Sequence, residues 1–407
     1  MNILCLARAT VNHKNSGGLE THLETLCNGF LVRKHQVTII TTEHPGNIIH
    51  EKKESLNIYY LKNTTSEKFT KTWWQESAKK ALVLHRQNPF DIIYSQEFSG
   101  WGCAKNRKYF KYIPIVTILH GTFFQEFKNN LKSISSFKSL ICTSKYLLKR
   151  TLRFFFVDIP FLHRVDIIIA VNNFIKDIRL GHLILIKPIF IIQNGVDLTK
   201  FMPSEEGKKI RYKYGINDSE SILLLSGRVC KGKGMQIALQ ALQNVLRIKS
   251  NVRIMLVGSG PFQNQLKSLA GDLNITEKVI FCGFVEYEKL PAYYNCADLF
   301  LMPTLVIETN SMCILEAMAC GKPVIASAIG GNISQIRNLH NGILVRPGDV
   351  SELTKNIIQV LNDTNLKERL ASYARETTVN KYDSEKMINS TLKLFENLTE
   401  IKNIKCH

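Results

Sequence analysis

The sequence predicts an α/β protein made of two Rossmann-like, doubly wound domains that face each other across a cleft. Three observations support this. The chain has 407 residues, which suits two domains of about 200 residues better than one. Short β-rich apolar runs alternate with longer helical patterns, as parallel α/β layers require. The alternation runs through twice, and a polar stretch at 199–217 with Pro203, Gly207 and Gly215 is the expected linker. The domains are therefore placed at 1–200 and 201–383, and a C-terminal helix is expected at 384–407.

In the first half the expected strands are 2–7, 36–41, 57–61, 91–95, 113–119, 166–171 and 187–193. Between them lie helical patterns such as Leu19, Leu23, Leu26 and Phe30, which share one face. In the second half the strands are 221–225, 252–257, 278–282, 298–302 and 323–326, and everything after Ser351 reads as helix. The last stretch is amphipathic through Met387, Leu392, Leu394, Phe395 and Leu398. The helix it forms suits either the first domain or an oligomer contact.

With 45% apolar and 21% charged residues the composition is that of a globular chain, not a disordered one. No apolar run reaches the roughly 18 residues of a membrane span. The opening MNILCLARAT is broken by Arg8 too early for a signal peptide, and reads as a buried first strand. The ten cysteines are scattered, with no CxxC pair and no metal-ligand spacing. They are expected as reduced core thiols of a cytoplasmic protein, with no metal.

Charge is uneven: 53 basic against 34 acidic side chains, with residues 1–200 carrying net +14 and residues 201–407 net +5. Residues 128–156 hold Lys128, Lys132, Lys138, Lys145, Lys149, Arg150 and Arg153 and no acid. Apolar Leu131, Ile134, Phe137, Leu140, Ile141, Leu147, Leu148 and Leu152 interleave with them. Two readings stand: a basic amphipathic segment lying on an anionic membrane surface, or a solvated helix face on a basic protein. No nucleic-acid-binding motif accompanies the charge, so no nucleic-acid partner is expected.

In doubly wound sheets ligands bind at the carboxyl ends of strands, often against helix N-termini. Gly227-Arg228-Val229-Cys230-Lys231-Gly232-Lys233-Gly234 follows such a strand. Its glycines permit a tight turn and a close backbone approach. Arg228 offers a planar fork and Lys233 a point charge, together suited to a diphosphate. The loop lacks Walker spacing, which weighs against an ATPase. Glu308 follows the strand at 298–302, Asn310 or Ser311 can cap the next helix, and Glu316 lies within that helix. Carboxylates accept paired hydrogen bonds from vicinal hydroxyls, so ribose and sugar diols are natural partners. A paired-carboxylate hydrolase would leave Arg228 and Lys233 without a task. Taken alone, Gly17-Gly18 is a tight turn, His120 a structural histidine and Asn194-Gly195 a turn pair.

Taken together and in order, several segments resemble the retaining GT-B glycosyltransferases with the E-x7-E motif, glycosyltransferase family 4, group 1. They are Gly17-Gly18-Leu19-Glu20, His120-Gly121, Asn194-Gly195-Val196-Asp197, Gly227-Arg228 with Lys233-Gly234, Gly258-Ser259-Gly260-Pro261, Glu308 with Glu316, and Gly330-Gly331. The match is densest from Gly195 to Gly348 and thin between Glu43 and Ile113, where acceptor recognition is expected.

The resemblance implies a GT-B fold and transfer of a hexose-type sugar from a nucleoside diphosphate sugar, UDP or GDP, to a hydroxyl acceptor. The acceptor class it suggests is a lipid-linked or cell-surface glycan precursor, as in polysaccharide or glycolipid synthesis on the inner membrane face. It assigns Arg228 and Lys233 to the diphosphate, Glu316 to the ribose, and Glu308 and His120 to the reacting sugar. Gly17, Gly18, Gly258, Asn310, Ser311 and Met312 complete the donor site. A preorganised cationic clamp of this kind supplies several kcal/mol of transition-state stabilisation, so neither metal nor cofactor is implied. The chain departs from the family pattern at three places. Asn310 and Ser311 stand where an aromatic residue and glycine are common, Ser334 where a glutamate often follows the late glycine pair, and Asn172 where a serine often ends the strand. The first touches the sugar-phosphate pocket. Two rival readings are a nucleotide-sugar epimerase of similar architecture and a degenerate nucleotide- or glycan-binding module.

Overall fold

The computed structural model describes residues 1–13, 17–121, 123, 127, 129, 137–172 and 187–406. The chain divides into two compact units, Met1–Asn194 with Glu385–His407, and Gly195–Ser384.

The first unit is built on β1 (Asn2–Leu6), β2 (Gln36–Thr41), β3 (His50–Lys53), β4 (Leu56–Tyr60), β5 (Ile92–Gln96), β6 (Ile115–Leu119), β7 (Ile167–Ala170) and β8 (Ile189–Ile191). They form one sheet in the order β3-β4-β2-β1-β5-β6-β7-β8. Every residue of β1, β5, β6 and β7 is buried. Helices cover both faces of such strands, so their sequences are continuous apolar runs rather than alternations. All neighbours are parallel except β3 and β4. The sequence reading misses β3 because its residues are His-Glu-Lys-Lys and mostly exposed. Charge on an edge strand blocks unwanted pairing and also erases the apolar signal.

The helix Ser384–Cys406 supplies Met387, Ile388, Leu392, Leu394 and Phe395 to the core of the first unit. The Phe395 ring lies 5.8 Å from that of Phe30 and 5.9 Å from that of Tyr94. Where this helix crosses Gly18–Val32, a Cβ on Gly29 would stand 2.5 Å from Ile388 Cδ1 and 2.8 Å from its Cγ2. Arg33 closes the contact with hydrogen bonds to Glu385 (2.5 Å) and Asn389 (2.8 Å).

The second unit contains β9 (Ser221–Ser226), β10 (Val252–Val257), β11 (Val279–Gly283), β12 (Leu299–Met302), β13 (Val324–Ser327) and β14 (Ile343–Val345). Its order is β11-β10-β9-β12-β13-β14, with every neighbour parallel. The chain winds outward from β9 in one direction and then, from β12, in the other. The carboxyl ends of β9 and β12 therefore flank the crevice where such sheets bind ligands. The sequence reading misses β14, whose three residues are too few to show a pattern.

The expected linker at 199–217 is instead part of this second body. It contains the helix Gly207–Lys213, whose first residue packs against the backbone of Asn295 and Cys296. Arg211 donates to the Cys296 carbonyl (3.1 Å) and to Asp298 (2.7 Å). Polar composition here reflects an exposed helix face rather than free chain. The unit begins and ends side by side, since Val196 N–H donates to Tyr382 O (2.7 Å) and Ser384 N–H to Val196 O (3.0 Å). The helices Val350–Asn362 and Thr364–Lys381 are capped by Asp349 and Asp363, whose carboxylates accept from Glu352 N–H and Leu366 N–H.

Gly29→Ala is expected to destabilise the protein by about 1–3 kcal/mol, because the whole Ile388 side chain blocks the added methyl. Ile388→Ala alone costs about 2–5 kcal/mol through its cavity. Urea unfolding of the double variant should show a loss smaller than the sum, since each change relieves the other. A strictly additive result would place the two residues out of contact.

Candidate active site

The loops that leave β9 and β12 meet. Leu305 N–H and the Thr304 hydroxyl both donate to Gly232 O (2.8 and 3.1 Å). A Cβ on Gly234, which has φ 72°, would collide with the Pro303 carbonyl oxygen. On the other flank Gly258, at φ 131°, lies so close to Gly227 that its Cβ would strike the Gly227 carbonyl. Gly331 stands in the same relation to the Thr309 carbonyl, and its N–H donates to Glu308 O (2.6 Å). Glycine at these positions lets backbone pack on backbone, which fixes the loops that carry the charges.

These contacts bring Lys233 and Glu308 together, with Nζ 2.6 Å from Oε1 and side-chain exposures of 22% and 14%. Thr304 Oγ1 lies 3.3 Å from the same oxygen. Burial pushes the Lys233 pKa down, but the Glu308 carboxylate outweighs it and holds the ammonium above its ordinary range. Sequence reasoning gave Lys233 and Glu308 separate tasks; in the ligand-free protein they are partners. Arg228 is exposed and joins no ion pair among the described residues, so its guanidinium is available to an anion.

Glu316 lies in the second turn of the helix Met312–Ala319 and is 4% exposed. It is no solvated helix carboxylate. Burial raises its pKa to about 7, and the Tyr294 hydroxyl, which donates to Oε2 at 2.6 Å, works against that rise. The neighbouring Cys313 thiol is pushed by burial to about 12 and stays protonated.

The Asn310–Ser311 segment is held by Gln335. Ser311 N–H donates to Gln335 Oε1 (3.1 Å), while Gln335 Nε2 donates to Ser311 O (3.1 Å) and Asn310 Oδ1 (2.5 Å). Ser311 occupies the N-cap position, and its side chain makes no capping bond; Gln335 accepts from the backbone N–H of Ser311 itself. Met312 is buried in the core of the unit, so its side chain serves packing.

In the first unit Gly17 precedes the helix Gly18–Val32, and its N–H donates to the Glu20 carboxylate at 2.9 Å. That N–H, at a position expected in the donor site, is engaged within the chain. His120 directly follows β6, and its ring meets that of His22 edge to face, centroids 4.7 Å apart at 79°. His120 Nε2 is buried without a hydrogen-bond partner. Burial, aided by His22 and Arg8, holds His120 well below its ordinary pKa. Burial alone takes His22 to about 4. At neutral pH both imidazoles are uncharged.

Within the basic segment, Lys128, Leu131, Lys132 and Ile134 lie outside the described residues, as do the side chains of Phe137, Lys138, Leu140 and Ile141. Arg150 and Arg153 are not free surface charges. Arg150 pairs with Asp158 at 2.6 Å, the two being 9% and 1% exposed, and Arg153 approaches the other Asp158 oxygen at 3.3 Å. The acid that claims them lies two residues beyond the segment read from sequence. No cluster of His, Cys, Asp and Glu among the described residues could hold a metal ion.

Sequence reasoning missed His22, Tyr294, Thr304 and Gln335. Two of them carried a faint signal: His22 stands two residues after Glu20, and Gln335 follows Ser334, a position already marked as unusual.

Because the folded pKa of Glu316 is raised from 4.5 to about 7, the folded state binds a proton that the unfolded chain releases. Stability then falls as pH rises from about 4.5 to 7, and the full penalty, roughly 3 kcal/mol, persists above that. Glu316→Gln should be about 3 kcal/mol more stable than the parent at pH 8 and indistinguishable from it at pH 4. Urea unfolding at both pH values checks this, and a less stable variant at pH 8 would contradict it.

Comparison with known proteins gives a consistent result. The model for Glycosyltransferase Family 4 matches residues 16–200, and that for Glycosyl transferases group 1 matches residues 206–377. An uncharacterized glycosyltransferase of Methanocaldococcus jannaschii is 25% identical over 398 residues, covering 93% of this chain and 94% of its own. The alpha-monoglucosyldiacylglycerol synthase of Streptococcus pneumoniae is 32% identical over 257 residues, 61% of this chain and 54% of its own length. Sucrose-phosphate synthase from Thermosynechococcus elongatus shares the fold with a TM-score of 0.83 at 21% identity, over 98% of this chain and 99% of its own.

Proposed function

The chain is a glycosyltransferase of GT-B type, a family 4 domain followed by a group 1 domain, and we propose that it moves a hexose-type sugar from a nucleoside diphosphate to a hydroxyl acceptor. The observation that carries this reading is the junction of the β9 and β12 loops. There the β9 loop supplies a free guanidinium and the ammonium of a half-buried ammonium–carboxylate pair, and the helix after the β12 loop supplies a buried carboxylate.

Arg228 and Lys233 take the diphosphate. As the glycosidic bond breaks, negative charge grows on the leaving phosphate, and two preorganised cations stabilise it in proportion to that growth. An arriving diphosphate competes for Lys233 and frees Glu308 for the hydroxyls of the transferred sugar. Glu316, ionised in part near neutral pH, accepts the ribose hydroxyls. The leaving phosphate takes the acceptor proton, the new bond forms on the face the phosphate leaves, and the anomeric configuration is retained. No metal is required, because protein cations meet the phosphate charge.

A coupled assay of nucleoside diphosphate release tests this. Arg228→Ala should lower kcat by about 10²–10³, and chelation of divalent cations should leave the parent rate unchanged. Parent-like turnover in Arg228→Ala and Glu308→Ala together would refute the site assignment.

The acceptor we propose is lipid-linked and met at an anionic membrane on the cytoplasmic face. Support comes from the helix Phe137–Arg153 and the turn Phe154–Asp158. Leu147, Arg150, Phe154 and Asp158 form the buried stripe, while Leu148, Leu152, Phe155 and Phe156 are 64, 50, 58 and 72% exposed. Lys145 and Lys149 share this outward stripe. An outward face that is apolar and basic suits an anionic interface. The Streptococcus pneumoniae relative is named for a diacylglycerol product. Phe155→Ser with Phe156→Ser should abolish sedimentation with anionic vesicles while leaving thermal stability intact. Vesicle binding equal to the parent would exclude this face.

A further inference from the structure

Asn310 and Ser311 occupy the place where the family pattern has an aromatic residue and glycine, and the structure shows what replaces them. Ser311 N–H is a fixed backbone donor, and the side-chain atom it meets, 3.1 Å away, must be an acceptor. That atom is therefore the Gln335 amide oxygen, and the other end of Gln335 is its amino group, which donates to Ser311 O and to Asn310. An amino group has no acceptor capacity, so the Asn310 atom facing it at 2.5 Å is the carbonyl oxygen. One backbone N–H thus orients two amides in series. Asn310 Nδ2, with two N–H donors, has no partner among the described residues.

Gln335 can enforce this because it is 2% exposed and lies on the short helix Asn332–Gln335, directly behind the Gly330–Gly331 pair. Gly331 packs on the backbone of Thr309 and Asn310, so neither the loop nor the helix can shift without the other. Asn310 stands two residues after Glu308, on the stretch between the proposed sugar-binding carboxylate and the helix that carries Glu316.

We infer that Gln335 is a positioning residue that makes Asn310 a fixed two-proton donor. On this basis the transferred sugar carries a carbonyl or carboxylate oxygen, as an acetamido or uronate group, for Asn310 to hold. The inference rests on the proposed donor site and narrows it. A hydroxyl can rotate to suit either end of an amide, whereas a carbonyl or carboxylate oxygen only accepts and rewards a donor held in place. The site therefore discriminates against a plain hexose, which offers hydroxyls alone at that point.

The test has two stages, so that failure of the function and failure of the inference are distinguishable. Calorimetric titration with UDP, GDP and ADP fixes the base, and absence of binding by all three would overturn the proposed function and this inference with it. Conjugates of the bound base with a plain hexose, an N-acetylhexosamine and a hexuronic acid are then compared. The acetamido or the uronate conjugate should bind at least about tenfold more tightly than the plain hexose; which one does so identifies the substituent. Equal or tighter binding of the plain hexose, with the nucleotide itself bound, would overturn the inference alone.

Gln335→Glu provides the second arm. Its carboxylate still accepts from Ser311 N–H but cannot donate to Asn310, whose amide must turn to present its oxygen instead. The preference should shrink or invert while affinity for the bare nucleotide stays within about twofold. Asn310→Asp, which keeps the Gln335 contact and removes the free donors, should lose the preference as well. An unchanged preference in both variants would show that Asn310 does not touch the sugar.

Discussion

The site depends on one topological fact: β9 lies between β10 and β12. The crossover that places it there separates the chain into two outward windings and leaves their first loops side by side. Gly234 against Pro303, Gly227 against Gly258 and Gly331 against Thr309 then bring backbone onto backbone. A side chain on Gly234, Gly258 or Gly331 would drive its Cβ into a facing carbonyl oxygen and force the loops apart. Lys233 and Glu308 are 75 residues apart in sequence and 2.6 Å apart in space because of that seam.

Electrostatics at the junction follow from burial. Lys233 is kept charged by a partner that a ligand can displace. Among the described residues Glu316 has no cationic partner; it has a tyrosine hydroxyl and little solvent, and its pKa climbs to about 7. A buried carboxylate that destabilises the fold is hard to explain as packing and natural as a binding group, since ligand hydroxyls would supply the hydrogen bonds that the interior lacks. Stability is given up where binding needs a desolvated acceptor. The histidine pair of the first unit shows the same physics with the opposite sign, burial favouring the neutral form.

Much of this was legible in the sequence. Strands with both faces covered are continuous apolar runs, so 36–41 and 252–257 were placed to the residue. The charged edge strand β3 and the three-residue β14 left no such pattern. At the site, Arg228, Lys233, Glu308 and Glu316 were readable because their residue types suit a diphosphate and diols. Their pairing was not, because Lys233 meeting Glu308 depends on strand order. Tyr294 is invisible for a related reason: it acts through one long-range hydrogen bond, and nothing in the local pattern marks the residue that makes it; Gln335, which makes three, is marked only by its place after Ser334. In the basic segment, Arg150 and Arg153 lie against Asp158, an acid two residues beyond the segment's end, so the residue types within 128–156 do not show that these two charges are compensated.

If the junction of the β9 and β12 loops is a diphosphate clamp, it must respond to the second phosphate. Titration calorimetry of a nucleoside diphosphate against the monophosphate of the same base reads this directly. Charge-assisted contacts to the added phosphate are worth about 1.5–3 kcal/mol. The diphosphate should therefore bind about 10–100-fold more tightly than the monophosphate, and Arg228→Ala should erase the difference. Equal affinities for the two nucleotides would contradict the clamp and the transferase mechanism built on it.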